Sequence, residues 1–277
     1  MALLPFTVAE PECPSSPLVV DVPHCGRIYP MDFAFNCSLR ALRLSEDAYV
    51  DEVVSCATAA GASVLMAEFP RSMIDANRAE DDIDPANLHG EWSWPANPTS
   101  AALAGYGLVR RLCGSNVPVY RNPLKVEEVR RRLNTYYRPY HAKLKELVES
   151  RKQEFGFCLL LDTHSMPSRA ENGSSSPDFV LGDLDGTSCT TEFTGLACKI
   201  LQEQGYTVAV NAPYKGREIL RRYGNPEQGA YALQIEINRR LYLDEASLIV
   251  HAGLPKLREH ISRLFSVISQ LRVSAGR

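Results

Sequence analysis

The sequence predicts an α/β fold. Three observations carry that expectation: short apolar runs that end in Asp or His, stretches of helical three–four spacing between those runs, and a length of 277 residues, enough for one large domain or two small ones. Hydrophobic residues make up 45% of the chain and charged residues 23%, which places it with ordinary globular proteins rather than with disordered or fibrous ones. The strongest single stretch is Cys158–Leu161, which runs directly into Asp162-Thr163-His164-Ser165-Met166-Pro167. A short unbroken apolar run reads as a strand buried on both faces, and ligands in such sheets bind just beyond the carboxyl ends of strands. Asp162 and His164 are expected at that place. Two apart on extended chain, they point the same way.

Taken in order, residues 1–16 read as an irregular arm and residues 17–277 as a single domain. Leu18-Val19-Val20-Asp21 is a short strand ended by Pro23-His24-Cys25-Gly26, and the glycine permits a tight turn. His24 therefore echoes His164: strand, Asp, then His. A helix is expected from about Leu39 to Ala60, ended by Gly61. Within it Asp47, Val50, Asp51 and Val54 fall at i, i+3, i+4 and i+7, so both carboxylates share the stripe that faces the core. Carboxylates there are costly unless paired, hydrogen-bonded or metal-bound. An arginine partner at the rim of the buried face is the plain alternative.

Ser63–Ala67 is the next strand, and Pro70-Arg71-Ser72-Met73-Ile74-Asp75-Ala76-Asn77-Arg78 follows it. Arg71 and Arg78 offer planar forks for a carboxylate, and Asp75 or Asn77 can orient them. A surface loop with ordinary ion pairs would look the same. Residues 79–124 are rich in Asp, Pro, Asn and Gly and read as a long irregular excursion, the kind of loop that serves as a lid. A helix runs from about Lys125 to Phe155, kinked near Pro139. Its Arg130-Arg131-Arg132 cluster reads as a solvated face. After the Cys158 strand come a short strand at Phe179–Gly182, a helix from Phe193 to near Gly205, and a strand at Thr207–Val210. A loop at 215–224 with a short helical piece leads to Ala232–Asn238, where Gln234, Glu236 and Asn238 alternate onto one face. A packing helix built on Leu254, Leu257, Ile261, Leu264, Ile268 and Leu271 closes the chain. Such alternation of strands and helices favours one α/β domain.

Composition argues against several classes. Net charge is −3 and no basic block is long enough for nucleic acid or an anionic membrane. No window reaches the roughly 18–20 apolar residues of a membrane span. The first seventeen residues lack a basic region and carry Glu10 and Glu12, unlike a secretory signal. Eight scattered cysteines without a CxxC pair read as reduced thiols, so the cytosol is the expected compartment.

Two histidines at strand ends and an aspartate pair on a core-facing helix match a catalytic zinc site, which takes three protein ligands and keeps one position open. Glu236 is the expected proton carrier, and Arg71 or Arg78 the anchor of a substrate carboxylate or of a developing oxyanion. Two rival chemistries fail. Cys25 directly follows His24, but adjacent residues on extended chain diverge, and no G-x-S-x-G elbow is present for a serine hydrolase.

The blocks VVDVPHCGRIYP, LSEDAYVDEV, FPRSMIDANR, YRPYHAKL, LLDTHSMPS, PDFVLGDLDGTSC and ALQIEINRRLYLDE, from about Leu18 to Glu245, resemble the N-formylglutamate amidohydrolase family. The resemblance implies a three-layer α/β/α single domain around a mixed, mostly parallel sheet, as in zinc carboxypeptidases. It implies metal-dependent hydrolysis of a C–N amide bond, N-formyl-L-glutamate giving formate and glutamate in histidine breakdown. By position, His24 and His164 become ligands of zinc or another divalent metal, with Asp47 the first and Asp51 the second choice for the third. Glu236 becomes the general base, and Arg71, Asp75, Asn77, Arg78 and Arg221 the residues that hold a small carboxylate-bearing substrate. Asp162 and Ser165 support the ligands, Asp162 by fixing the His164 ring or its turn. The chain departs from the family pattern at Gly216-Arg217, Ile219-Leu220 and Arg221-Arg222-Tyr223-Gly224, where a double glycine, Ile-Thr and Arg-His-Tyr-Gly are expected, and at Arg121-Asn122-Pro123, where Arg-Gly-Lys is expected. These changes point to two outcomes beside the family reaction: another acyl group, or a binding protein that keeps the pocket without turnover.

Overall fold

The structure, a computed structural model, describes residues 4–114, 116–170 and 173–272. The chain forms two compact units, each drawn from several segments. One takes the chain through Thr7 together with Pro23–Ala48 and Met66–Lys143; the other takes Val8–Val22, Tyr49–Leu65 and the chain from Leu144 onward.

Seven strands make one mixed sheet: β1 (Phe6–Ala9), β2 (Leu18–Val22), β3 (Ser63–Ala67), β4 (Cys158–Met166), β5 (Phe179–Gly182), β6 (Val208–Val210) and β7 (Ala230–Asn238). Their spatial order is β1-β3-β2-β4-β7-β5-β6. β4 runs parallel to β2 and to β7, β5 runs antiparallel to β7, and β6 is parallel to β5. The long apolar runs lie at the centre, as burial on both faces demands: all nine residues of β4 are buried. Helix Gly253–Ser269 buries Leu254, Leu257, Ile261, Leu264, Phe265 and Ile268 and packs on Val50–Val54, Ser55–Ala60 and Thr191–Glu203. Helix Glu218–Tyr223 packs on β7 and β4. No helix among the described residues is long and apolar enough to cross a membrane.

Four local expectations change. First, the arm is not irregular throughout: Phe6–Ala9 is the outermost strand β1. Residues 1–3 of that arm lie outside the described residues. Second, β4 does not stop at Leu161. Pairing with β7 continues to Met166↔Asn238, which keeps the chain extended through Asp162 and His164.

Third, the helix expected over about 39–60 is three pieces: Leu39–Arg43, Val50–Val54 and a 3₁₀ turn at Ser55–Ala60. The amide of Asp47 donates to the carbonyl of His24 at 3.0 Å instead of continuing a helical ladder, and Tyr49 is left-handed at φ 63°. Asp47 and Asp51 therefore share no helical stripe. Fourth, Arg132 is not solvated. It is 1% exposed, while its neighbour Arg130 is exposed and Arg131 half-buried.

The helix expected over about 125–155 forms as Val126–Arg132, a π-helical turn at Leu133–Tyr137, and Arg138–Phe155. Pro139 has no N–H to donate one turn back, and the helix widens just before it. That wider turn has a use. In an unbroken α-helix, residues five apart lie about 140° apart around the axis; the π turn takes up the extra residue, so Arg132, Tyr137 and His141 all reach one neighbouring segment.

Candidate active site

That segment is Pro70–Arg78, which has no regular secondary structure and must satisfy its backbone otherwise. Arg132 Nη1 donates to the Met73 carbonyl at 2.8 Å, and Tyr137 Oη to that of Arg78 at 2.8 Å. His141 Nε2 lies 3.0 Å from the Ala76 carbonyl. The Asp75 amide donates to the Leu108 carbonyl at 2.8 Å, which draws Arg110 in from the excursion. Gly26 serves by close approach rather than by an unusual φ: a Cβ there would sit 2.1 Å from the Phe69 carbonyl oxygen. The irregular loop is thus held as firmly as a strand.

Asp75 is the hub of the first unit and is fully buried. Its Oδ1 lies 2.7 Å from His24 Nε2 and accepts the Asn77 amide at 3.0 Å. Its Oδ2 accepts from Arg71 (Nε 3.3 Å, Nη2 3.1 Å) and Arg110 (Nε 3.2 Å, Nη2 3.1 Å). Burial alone would raise its pKa; Arg71, His24 and Arg110 outweigh that and hold the carboxyl well below its usual range. Burial and the Arg71 charge lower Arg110 to about 10, still a cation at neutral pH.

Asp75 was expected to help hold substrate, but it spends both oxygens on the protein's own groups. We expect Asp75→Asn to cost about 3–5 kcal/mol, because it leaves the buried Arg110 and the half-buried Arg71 without their counter-charge. A depressed folded pKa contributes stability that is full above the unfolded value of about 3.9 and is lost as pH falls through the folded one. The variant should therefore lose less stability than the wild type on acidification below about pH 4, measured by urea unfolding at several pH values. Equal acid limbs would remove Asp75 from the hub.

His24 is buried beside two carboxylates: Nδ1 lies 3.2 Å from Asp47 Oδ2, and Nε2 faces Asp75. Those contacts favour a protonated ring, but burial, then the Arg71 charge, lower its pKa below 6.5. A neutral ring carries one proton. The shorter contact, to Asp75, takes it at Nε2, so Nδ1 turns a lone pair toward an Asp47 oxygen. A neutral imidazole beside a carboxylate is a zinc-type donor set. Arg71 Nη1 stands 3.7 Å from the other Asp47 oxygen.

In the second unit, parallel register sets Asp21 beside Asp162, Gln234 beside Asp162, and Glu236 beside His164. Side chains paired this way share a face and stand about 5 Å apart. His164 Nε2 is 2.8 Å from Asp162 Oδ1, and both side chains are buried. Gln234 Nε2 donates to Glu236 Oε1 at 3.0 Å, and Ser165 Oγ accepts from the buried Arg239 at 3.0 Å. Cys25 turns its sulfur to the Ala67 carbonyl at 3.5 Å, away from any nucleophilic partnership with His24.

The expected residues are drawn from both units. His24, Asp47, Arg71 and Asp75 meet in the first unit, with Asn77 bound to Asp75 through its amide. Arg78 is buried near Asp82, Nη1 to Oδ2 3.7 Å. Asp162, His164, Ser165 and Glu236 lie on the paired ends of β4 and β7. Asp51 is half-buried on Val50–Val54. Arg221 is exposed and bound to Glu218, Nη2 to Oε2 2.6 Å. Sequence reasoning missed Arg110, which sits unmarked in an irregular stretch, and Arg132, hidden in a basic triplet. Only burial separates either from a surface arginine.

Comparison with known proteins gives a consistent result. The family model described as N-formylglutamate amidohydrolase matches residues 16–243. An N-formylglutamate deformylase of Pseudomonas aeruginosa is 32% identical over 236 residues, covering 83% of each chain. One from Pseudomonas putida is 30% identical over 235 residues, covering 83% of this chain and 82% of its own. The crystal structure of N-formylglutamate amidohydrolase from Ralstonia eutropha superposes with a TM-score of 0.93 at 42% identity, over 97% of this chain and 98% of that one.

Proposed function

Because this chain belongs to the N-formylglutamate amidohydrolase family, we propose that it hydrolyses the amide bond of N-formyl-L-glutamate, releasing formate and glutamate, with a divalent metal, zinc first, held by His24, Asp47 and His164. The observation that carries the metal is the imidazole of His24, pinned at Nε2 by Asp75 while Nδ1 faces the Asp47 carboxylate. His164, whose Nε2 lies 2.8 Å from Asp162 Oδ1, supports the same use of its other nitrogen. All three side chains are buried. A carboxylate that fixes the far nitrogen of a ligating histidine sets its tautomer and raises its basicity.

The bound ion would supply Lewis acidity, polarising the formyl carbonyl and making an attacking water more acidic. The chain supplies the rest. Glu236 takes the proton of the attacking water on a carboxylate oxygen and returns it to the leaving nitrogen, which departs as the neutral amine of glutamate. Gln234 holds the other role at that carboxylate, donating to Oε1 and orienting it. Arg71 and Arg110, both fixed on Asp75, are the cations that would meet the substrate's carboxylates, and Asp75 keeps both forks from swinging. A pocket that binds without turnover is not favoured, since relatives named deformylases match over four-fifths of the chain.

The reading is tested by loading purified protein with zinc and following formate release from N-formyl-L-glutamate, with N-acetyl-L-glutamate as the comparison. Formate release that stops on chelation and returns with zinc is expected. Stoichiometric metal without formate would overturn the substrate; formate from protein free of metal would overturn the cation.

A further inference from the structure

Eight cysteines are free thiols. Cys13, Cys25 and Cys56 turn their sulfurs to carbonyl oxygens. Cys37 and Cys113 differ: their sulfurs face each other at 3.7 Å, across 76 positions of sequence. Cys113 is buried on the strand Leu112–Cys113, which pairs with Val117–Pro118 in a hairpin. Cys37 is half-buried and directly precedes Ser38, the cap of helix Leu39–Arg43.

The backbones that carry the two sulfurs are already tied on both sides. The Asn36 amide donates to the Val119 carbonyl at 2.7 Å, and the Gly114 amide to Ser45 Oγ at 2.7 Å. A disulfide needs the sulfurs about 2.0 Å apart. They must close by roughly 1.7 Å, a distance that side-chain rotation covers while the hydrogen-bonded backbone stays in place.

We propose that Cys37 and Cys113 are a covalent modification site, closing to a disulfide when a low-molecular-weight disulfide such as oxidised glutathione is present. The thiolate of Cys37, the more accessible partner, attacks one sulfur of the small disulfide; a mixed disulfide forms and one small thiolate leaves. Cys113 then gives its proton to solvent, and its thiolate attacks the Cys37 sulfur and expels the second small thiolate. Two protein thiols are oxidised and one small disulfide is reduced to two thiols. Burial, with the Cys37 contact, pushes the Cys113 thiol up to about 12, so it is the second and slower participant and the reaction speeds up with pH. The bond joins the segment that enters the Asp47 turn to the hairpin that follows Arg110. It does not rest on the hydrolase reading.

The test uses the full-length reduced protein, incubated with oxidised glutathione near about pH 8, then denatured, alkylated and mapped by mass spectrometry without reduction. Expected are a mass loss of about 2 Da, a single cross-linked peptide pair containing Cys37 and Cys113, and a Tm raised by about 5 °C that dithiothreitol reverses. C37S should fold, retain its starting Tm in oxidant and give no cross-link. Full alkylation of both thiols, a lasting glutathione adduct at either, or a cross-link from Cys113 to any other cysteine would overturn the proposal. Because the readout is a covalent bond, it is decided whether or not formate is produced.

Discussion

Glu236→Gln is expected to lower turnover by about 10²–10⁴ while metal content, Tm and the affinity for substrate stay near their wild-type values. The substitution keeps the shape and the Gln234 contact but removes the basic oxygen. Glu236 stands in register with His164 on the next parallel strand, so its carboxylate shares a face with a proposed ligand and is held there by the sheet. A loss confined to kcat is the signature of a group used in the transition state rather than for binding. Rapid-mixing measurement of formate with metal-loaded protein decides it. Turnover equal to wild type would take Glu236 out of the mechanism, and a parallel loss of metal would make it a ligand instead.

His164→Ala should abolish both metal retention and formate release, since it removes one of three proposed ligands and leaves too few for tight binding. Asp162→Asn gives the graded counterpart. Asp162 touches the ring through Nε2 at 2.8 Å, so its loss should weaken metal affinity by about 10–100-fold and leave activity recoverable with excess zinc. Competition against a chelator of known affinity reads both variants on one scale. If His164→Ala kept stoichiometric metal, the proposed ligand set would be wrong; if Asp162→Asn behaved like His164→Ala, the carboxylate would be a ligand in its own right.

Much of the sheet was legible in the residue order. β3 forms at Ser63–Ala67 and β5 at Phe179–Gly182 as expected, because a strand buried on both faces must be apolar throughout and turn residues bound it. The polar alternation of Gln234, Glu236 and Asn238 marked one face of β7, because alternate residues of a strand point the same way. Where periodicity misled, a tertiary hydrogen bond had intervened. Asp47 and Asp51 have helical spacing, yet the Asp47 amide goes to the His24 carbonyl and the helix breaks. β4 runs past Leu161 because β7 offers it partners to Met166.

By itself the sequence determined the fold class and the family, since both are matters of residue type and short-range order. Only the tertiary structure decided that Asp75 is a buried hub rather than a free carboxylate, that Arg110 joins it, and that Arg132, Tyr137 and His141 clamp the loop that carries it. The reason is physical. An arginine on a surface and one locked on a buried carboxylate are the same letter, and what separates them is the removal of water, which no local pattern records.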